Sequence, residues 1–425
     1  MAAGPVRGFG FWTLTFLVVA NMLGAGVFTT SGFTLASLGE PSRVLWAWLV
    51  GGLVALCGAF SYGLLVKRHP VSGGEYAFLS RAMHPSIGFV AGWVSLLAGF
   101  SGAIAFAALS FESYCRPEGI PPRVIAVAVV LAGALAHGLN RAFGAGVQNV
   151  AVVLKLVFLA GFLAVGAWSA ATTDWQGAAL VSGIPAGSPA LAFAQALVWI
   201  SLSYSGFNAA VYVAGEADSP GVVSRALLAG TALVTALYLL LNAVFVMAPP
   251  PEAIIGRADV AARAAAWIGG PGFASAVRGV IALALLTSVL SMMMAGPRVY
   301  GRMAEDGLLP QCFIVRPHRI WPAVLLQTGL ALLLVLVGSV QALLGYLGLT
   351  LSLCAAASVA GLFCGDPARR VHGRSAIPPA LFVLATLASG ALLVIRDPWQ
   401  AAGTAATLVL GLLAFGVSKR IWQRS

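Results

Sequence analysis

Long apolar stretches recur along the chain, separated by short segments that hold almost all of its charge. A bilayer crossing needs about 20 apolar residues. The pattern predicts twelve helical spans, at 11–35, 44–66, 87–111, 123–140, 147–169, 190–215, 226–248, 274–303, 322–338, 341–364, 377–395 and 399–418. Two uncharged runs need dividing. In 175–215, Gly177, Gly183, Pro185, Gly187 and Pro189 predict a loop ahead of the sixth span. In 320–365, Gly338-Ser339 with Gln341 predicts the turn between the ninth and tenth. Residues 11–39 carry no charge, too long a run for the apolar region of a signal peptide, so the first segment is expected to be a retained span.

Two spans are interrupted in the middle. The first carries Ala20-Asn21-Met22-Leu23-Gly24-Ala25-Gly26-Val27-Phe28 and then a run of hydroxyls. The sixth carries Ser201-Leu202-Ser203-Tyr204-Ser205-Gly206-Phe207-Asn208. Asn and Ser compete with the helix ladder for backbone groups, and Gly weakens it further. Unpaired backbone in hydrocarbon costs roughly several kcal/mol per group. Small residues also serve close helix packing. Yet paired Gly-interrupted segments at matching positions of two halves point to a secondary transporter's binding site. A half-helix N-terminus suits a carboxylate, and a half-helix C-terminus suits an ammonium. An α-amino acid carries both groups.

Composition removes the soluble alternatives. The 425 residues are 60% hydrophobic and 9% charged, with a mean hydropathy of +0.95. A soluble domain carries roughly 25% charged residues. The net charge of +11 follows the spans rather than a nucleic-acid surface. On the twelve-span map, sixteen Lys and Arg fall on one side, seven on the other, and Lys155 within a span. The positive-inside rule then expects an inner-membrane protein with both termini cytoplasmic. Five scattered cysteines without C-x-x-C spacing imply neither a disulfide framework nor a metal site, and no cofactor is implied.

Four stretches resemble the amino acid–polyamine–organocation (APC) permeases. They are Gly24-Ala25-Gly26-Val27-Phe28; Pro70-Val71-Ser72-Gly73-Gly74-Glu75-Tyr76 with Gly88-Phe89 and Gly92-Trp93; Tyr204-Ser205-Gly206-Phe207-Asn208 with Gly215-Glu216 and Pro220; and Pro297-Arg298 through Asp306-Gly307-Leu308-Leu309-Pro310. The resemblance covers spans one to eight and implies an all-α, LeuT-type fold. One transporter domain over 1–425 would comprise two inverted five-helix repeats, 11–169 and 190–364, and two further helices, 377–418. It implies that N–H groups around Gly24, Ala25 and Gly26 hold a substrate carboxylate. Carbonyls near Met22, Leu202, Ser203 and Ser205 would take the amino group, Tyr204 and Phe207 would line or gate the pocket beside Gly206, and Asn208 would stabilise the break. Ala25 stands where relatives often have serine, and Leu202 where some have a gating aromatic.

Lys155 is isolated from other charge between Arg141 and Asp174. An intramembrane lysine is a functional candidate by default, and burial disfavours its charged form. The bland alternative is snorkelling to the interface. Proton-coupled relatives are similar in placing a lysine in the fifth helix where sodium-driven members bind sodium, with Ser288 and Ser291 as expected neighbours. Proton symport, sodium-independent exchange and a non-transporting sensor all stay open. Glu216 with Arg298 and Arg302 is the expected inner gate, and His137 is expected to be structural. Glu112 is expected to be solvated beyond the third span. No catalytic signature of an intramembrane enzyme and no channel filter is present. With no Asp or Glu inside the central spans, a neutral amino acid is the expected substrate, with the proton as coupling ion and the oligomeric state open.

Overall fold

The computed structural model describes residues 8–70, 74–139, 143–175, 188–315, 320–364 and 370–421, with side chains except at 77, 82, 137–139, 143–153, 302 and 419–421. Its secondary structure is helical. α1 (Phe11–Met22) and α2 (Ala25–Leu38) form one apolar span bent by 44° at the break between them. α3 (Pro41–Arg68) is followed by the short α4 (Gly74–Ala82). α5 (Pro85–Val94), a π-helical stretch Ser95–Gly102 and α6 (Ala103–Cys115) make one continuous helix. α7 (Val124–Leu139) and α8 (Phe143–Thr172) close the first half.

The second half opens with α9 (Pro189–Tyr204), which gives way to a 3-10 helix, Ala209–Glu216. α10 (Pro220–Met247), the one-turn α11 (Pro251–Ile254) and α12 (Val260–Glu305) follow. α12 is kinked at Gly270 (φ 76°), ahead of Pro271, which separates an outer helical arm from the eighth span. α13 (Trp321–Val337) and α14 (Val340–Ala360) meet at Gly338-Ser339, where the Ser339 hydroxyl caps Ala342 N–H (3.1 Å). α15 (Ile377–Arg396) and α16 (Pro398–Ile421) end the bundle.

The sequence pattern predicts twelve spans. Among the described residues nine helices are long and apolar enough to cross a membrane, or ten with the bent α1–α2 pair counted as one. Two shorter apolar helices, Val124–Ala136 and Trp321–Val337, stand where the fourth and ninth spans are expected. Trp12, Trp46, Trp168 and Trp399 are exposed at helix ends, as an interfacial aromatic belt requires.

Contacts between helix ends sort the loops into two groups. At one end Phe9 N–H bonds to Glu216 O (2.8 Å) and Asp218 N–H to Phe9 O (3.2 Å). There the Arg68 guanidinium reaches the carbonyls of Gly361, Leu362 and Cys364, and Tyr76 donates to Asp306 (3.1 Å). At the opposite end Gly256 N–H bonds to Gly32 O (2.8 Å), and Arg396 donates to Gln195 (2.8 Å).

Glu112 departs from its expected solvated place. It is buried at the end of α6, and its two carboxylate oxygens accept from the N–H groups of Arg123 (2.7 Å) and Ala126 (3.0 Å). These are the donors that the first turn of α7 leaves unpaired. No residue within α7 supplies that cap, so a neighbouring helix does. Glu112→Ala is expected to cost about 1–2 kcal/mol, read as a lower melting temperature of the detergent-solubilised protein.

Candidate functional site

Two broken helices meet face to face. Leu23 N–H still closes the α1 ladder on Val19 O (3.0 Å), but Gly24 N–H turns back to Met22 O (2.7 Å) and ends it. α2 restarts at Ala25 with no side chain capping it. The first-turn N–H groups of a helix have no intrahelical acceptor. Ala25, Gly26 and Val27 therefore present their N–H groups at the positive end of the α2 dipole. Gly24 leaves space beside them, since a Cβ there would meet only Met22 O, at 3.9 Å. The Gly24 N–H itself is engaged, so the free set begins one residue later than the motif suggests.

The second break is pressed against the first. α9 ends at Tyr204, Ser205 N–H returns to Leu202 O (3.1 Å), and Gly206 takes φ 103°. A Cβ at Gly206 would lie 2.9 Å from the Asn21 backbone, and one at Gly26 would lie 2.5 Å from the Ser203 hydroxyl. Thr30 and Ser203 hydroxyls join α2 to α9 at 3.1 Å. Met22, Ala25 and Ser203 are buried, whereas Asn21 is exposed and Gly24, Leu202, Ser205 and Gly206 are partly so. The accessible face of the double break is thus lined by backbone at Gly24 and Gly206 and by the side chains of Asn21, Leu202 and Ser205.

One hydroxyl ties the two ends together. Tyr238 of α10, fully buried, donates to Met22 O and to Ser203 O (3.1 Å), the carbonyls that α1 and α9 release. Its single proton serves one carbonyl at a time, leaving the other for a second donor. Trp48 Nε1 donates to the Ser31 hydroxyl (3.0 Å), Ser31 donates to Asn242 Oδ1, and Asn242 donates to Tyr238 O (2.8 Å). Tyr204 packs between Trp48 and Tyr238, its hydroxyl on Trp48 O (3.0 Å). The site therefore offers free N–H groups on one half-helix and carbonyls on two others. This is the complement of a carboxylate and an ammonium on one small molecule.

Comparison with known proteins agrees with that chemistry. The sequence profile of a family described as amino acid permease matches residues 9–413. The chain belongs to this family. The permease is 25% identical over 338 residues to the serine/threonine exchanger SteT of Bacillus subtilis (strain 168), covering 76% of this chain and 75% of the relative. It is 25% identical over 371 residues to the Asc-type amino acid transporter 1 of Homo sapiens, covering 81% and 69%. It is 25% identical over 408 residues to the cystine/glutamate transporter of Pongo abelii, covering 90% and 79%. Its function is amino acid transport, and it is not an enzyme.

The remaining expected site residues are distributed unevenly in the permease. Lys155 on α8 is 9% exposed, and among the described residues its ammonium makes no hydrogen bond or ion pair. α8 packs against α12, the helix of Ser288 and Ser291. Ser288 bonds back to Ala284 O (2.9 Å), and both serines are half-buried. Phe207 turns toward α3 and α15, its ring edge-on to Tyr62 and Phe382. The Asn208 amide donates to the Glu75 carboxylate rather than to the broken helix.

Glu216 and Arg298 are exposed, and no ion pair joins them among the described residues. The side chains of Arg302 and His137 lie outside the described residues. What holds Glu216 in place is its backbone carbonyl, paired with Phe9.

Tyr238, Asn242 and Trp48 escape a reading focused on the breaks. The signal was present: Tyr238 and Asn242 stand one turn apart in an otherwise apolar span, a spacing that puts both on one helix face. The π-helical stretch Ser95–Gly102 leaves no comparable mark in the sequence.

Gly24→Leu is expected to fill the space at the break, reducing amino acid binding at least about tenfold while the protein stays folded; a thermal-shift titration checks both. Tyr238→Phe strips the buried Ser203 carbonyl of its tyrosine donor and leaves Met22 O with the Gly24 N–H alone, at a cost of about 1–3 kcal/mol. Its expected sign is a lower melting temperature together with weaker binding.

Proposed function

We propose that the permease exchanges small neutral amino acids across the cytoplasmic membrane by alternating access, independently of sodium. The observation that carries this reading is the opposition of the two breaks. Free N–H groups of Ala25, Gly26 and Val27 stand on one side, and the carbonyls of Met22 and Ser203 share one tyrosine hydroxyl on the other. The substrate carboxylate binds at the α2 N-terminus, and its ammonium takes the carbonyl that Tyr238 leaves free.

Small size follows from the close approach of α2 to α9 at Gly26 and Ser203. Neutrality follows from Glu75, the carboxylate that meets the sixth span at Asn208, which already accepts three hydrogen bonds. Relatives named as a serine/threonine exchanger and an Asc-type amino acid transporter favour exchange, with serine and threonine first among substrates.

In this reading the chain crosses the bilayer twelve times, with α7 and α13 as the short fourth and ninth spans. Residues 11–169 and 190–364 are the two inverted five-helix repeats of a LeuT-type fold, followed by the two helices of 377–418. The basic end of the bundle, and with it both termini, faces the cytoplasm. Lys155 then supplies a fixed positive charge between α8 and α12.

A second reading is proton-coupled uptake, favoured by the burial of Lys155 without a carboxylate partner among the described residues. Counterflow in proteoliposomes separates the two. Exchange predicts that internal unlabelled serine or threonine stimulates uptake of the labelled amino acid several-fold, with no response to sodium or to collapse of the pH gradient. Accumulation driven by the pH gradient without stimulation from inside would replace exchange by symport, and Lys155→Ala would then abolish that accumulation.

A further inference from the structure

Glu75 stands in the first turn of the short α4, in the connection after the second span, where a carboxylate is expected to meet water. It is instead only 8% exposed. Gly74, at φ 58°, brings the loop backbone against the Tyr212 ring, where a Cβ would lie 2.3 Å from the nearest ring carbon. That approach delivers the Glu75 carboxylate to the sixth span. Oε1 accepts from the Tyr62 hydroxyl of α3 (2.8 Å) and from the Asn208 amide at the break, and Oε2 accepts from the Tyr212 hydroxyl (2.6 Å). Among the described residues no cation pairs with it. Hydrogen bonds to a carboxylate are roughly twice as strong as those between neutral groups, and three neutral donors converge on this one.

The segment so held is the weakest part of the sixth span. Residues 209–216 form a 3-10 helix with a non-helical Val213 (φ −117°, ψ 18°). Such helices have poorer hydrogen-bond geometry, and runs beyond about four residues are uncommon. Tyr212 is 46% exposed, so ring packing does not fix it on all sides. Ala209, Ala210, Val211 and Ala214 pack the segment on α1 and α10, and its remaining attachments are the Glu75 carboxylate near the break and the Phe9 backbone pairing at the far end.

We infer that Glu75 is a positioning residue for transport, a latch that holds the lower half of the sixth span against α3 and keeps the site closed toward the basic end. Opening that end parts residues 209–216 from α3 and breaks the Tyr212 and Asn208 bonds together. The freed carboxylate is then hydrated instead of stranded, so the open state is reachable. The inference rests on alternating access, but not on which amino acid is carried or on whether transport is exchange or symport.

Its test reads opening directly. The native cysteines Cys57, Cys115, Cys312, Cys354 and Cys364 are replaced, and Ser205→Cys places one thiol at the break. Inside-out vesicles are labelled with a membrane-impermeant maleimide, and melting temperatures of each variant are measured alongside. Glu75→Ala is expected to speed labelling about tenfold, and Tyr212→Phe and Glu75→Gln by smaller factors. The double variant Glu75→Ala, Tyr212→Phe is expected to label no faster than Glu75→Ala alone, because both remove the same bond. If Glu75→Ala fails to fold, Tyr212→Phe and Glu75→Gln carry the test. Unchanged labelling in those two variants at wild-type melting temperature would overturn the latch, as would an additive double variant. Changed labelling in the Ser205→Cys background, with no serine or threonine counterflow by the permease that keeps Ser205, would uphold the latch and reject the proposed exchange.

Discussion

The structure depends on how two interrupted helices keep their freed backbone groups satisfied. Hydrocarbon and protein interior offer no water to take an orphaned carbonyl, so each break needs a partner from elsewhere in the fold. Tyr238 supplies it for both, since its hydroxyl lies between Met22 O and Ser203 O. That geometry requires α10 to run behind both breaks, and the Trp48–Ser31–Asn242 chain holds α10 to α2 and α3. A fully satisfied buried polar network rigidifies its surroundings, while a partly satisfied one is costly. Here the network serves the released carbonyls, while the first-turn N–H groups of α2 receive no side-chain cap.

Two carboxylates extend the same logic to the ends of the bundle. Glu112 caps α7 from α6 at one end, and Glu75 gathers donors from α3 and the lower sixth span near the other. Each serves backbone or side-chain donors that its own helix cannot reach. The difference lies in what they hold. Glu112 serves the first turn of a regular helix, whereas Glu75 restrains a 3-10 segment beside the breaks. A carrier needs both kinds of contact, a rigid frame and an element whose attachment can be exchanged.

Much of the fold was legible along the chain. Uncharged runs locate the spans because apolar length is what a bilayer demands. Gly24-Ala25-Gly26 and Ser205-Gly206 locate the breaks because a helix ladder fails where backbone competes or lacks support. The turn at Gly338-Ser339 follows from local turn and capping chemistry. The partners of the breaks were another matter. Glu75 sits 133 residues from Asn208, and Tyr238 sits 216 residues from Met22, separations at which hydropathy and local propensity carry no information. Glu112 looked solvated for the same reason: its place at the end of an apolar run says nothing of the helix that it caps.

The sequence by itself determined a polytopic helical membrane protein with two interrupted spans, and through its motifs the amino acid permease family. Those properties depend on residues close together in the chain, whose apolar length, periodicity and backbone freedom act locally. Only the tertiary structure decided that Thr30 of α2 meets Ser203 of α9 across the two breaks. It also decided that Tyr238 serves both breaks, and that the Glu75 carboxylate of α4 reaches the sixth span. Each is a hydrogen bond whose geometry exists only once distant helices are packed, because a donor's worth depends on which acceptor the fold brings within about 3 Å.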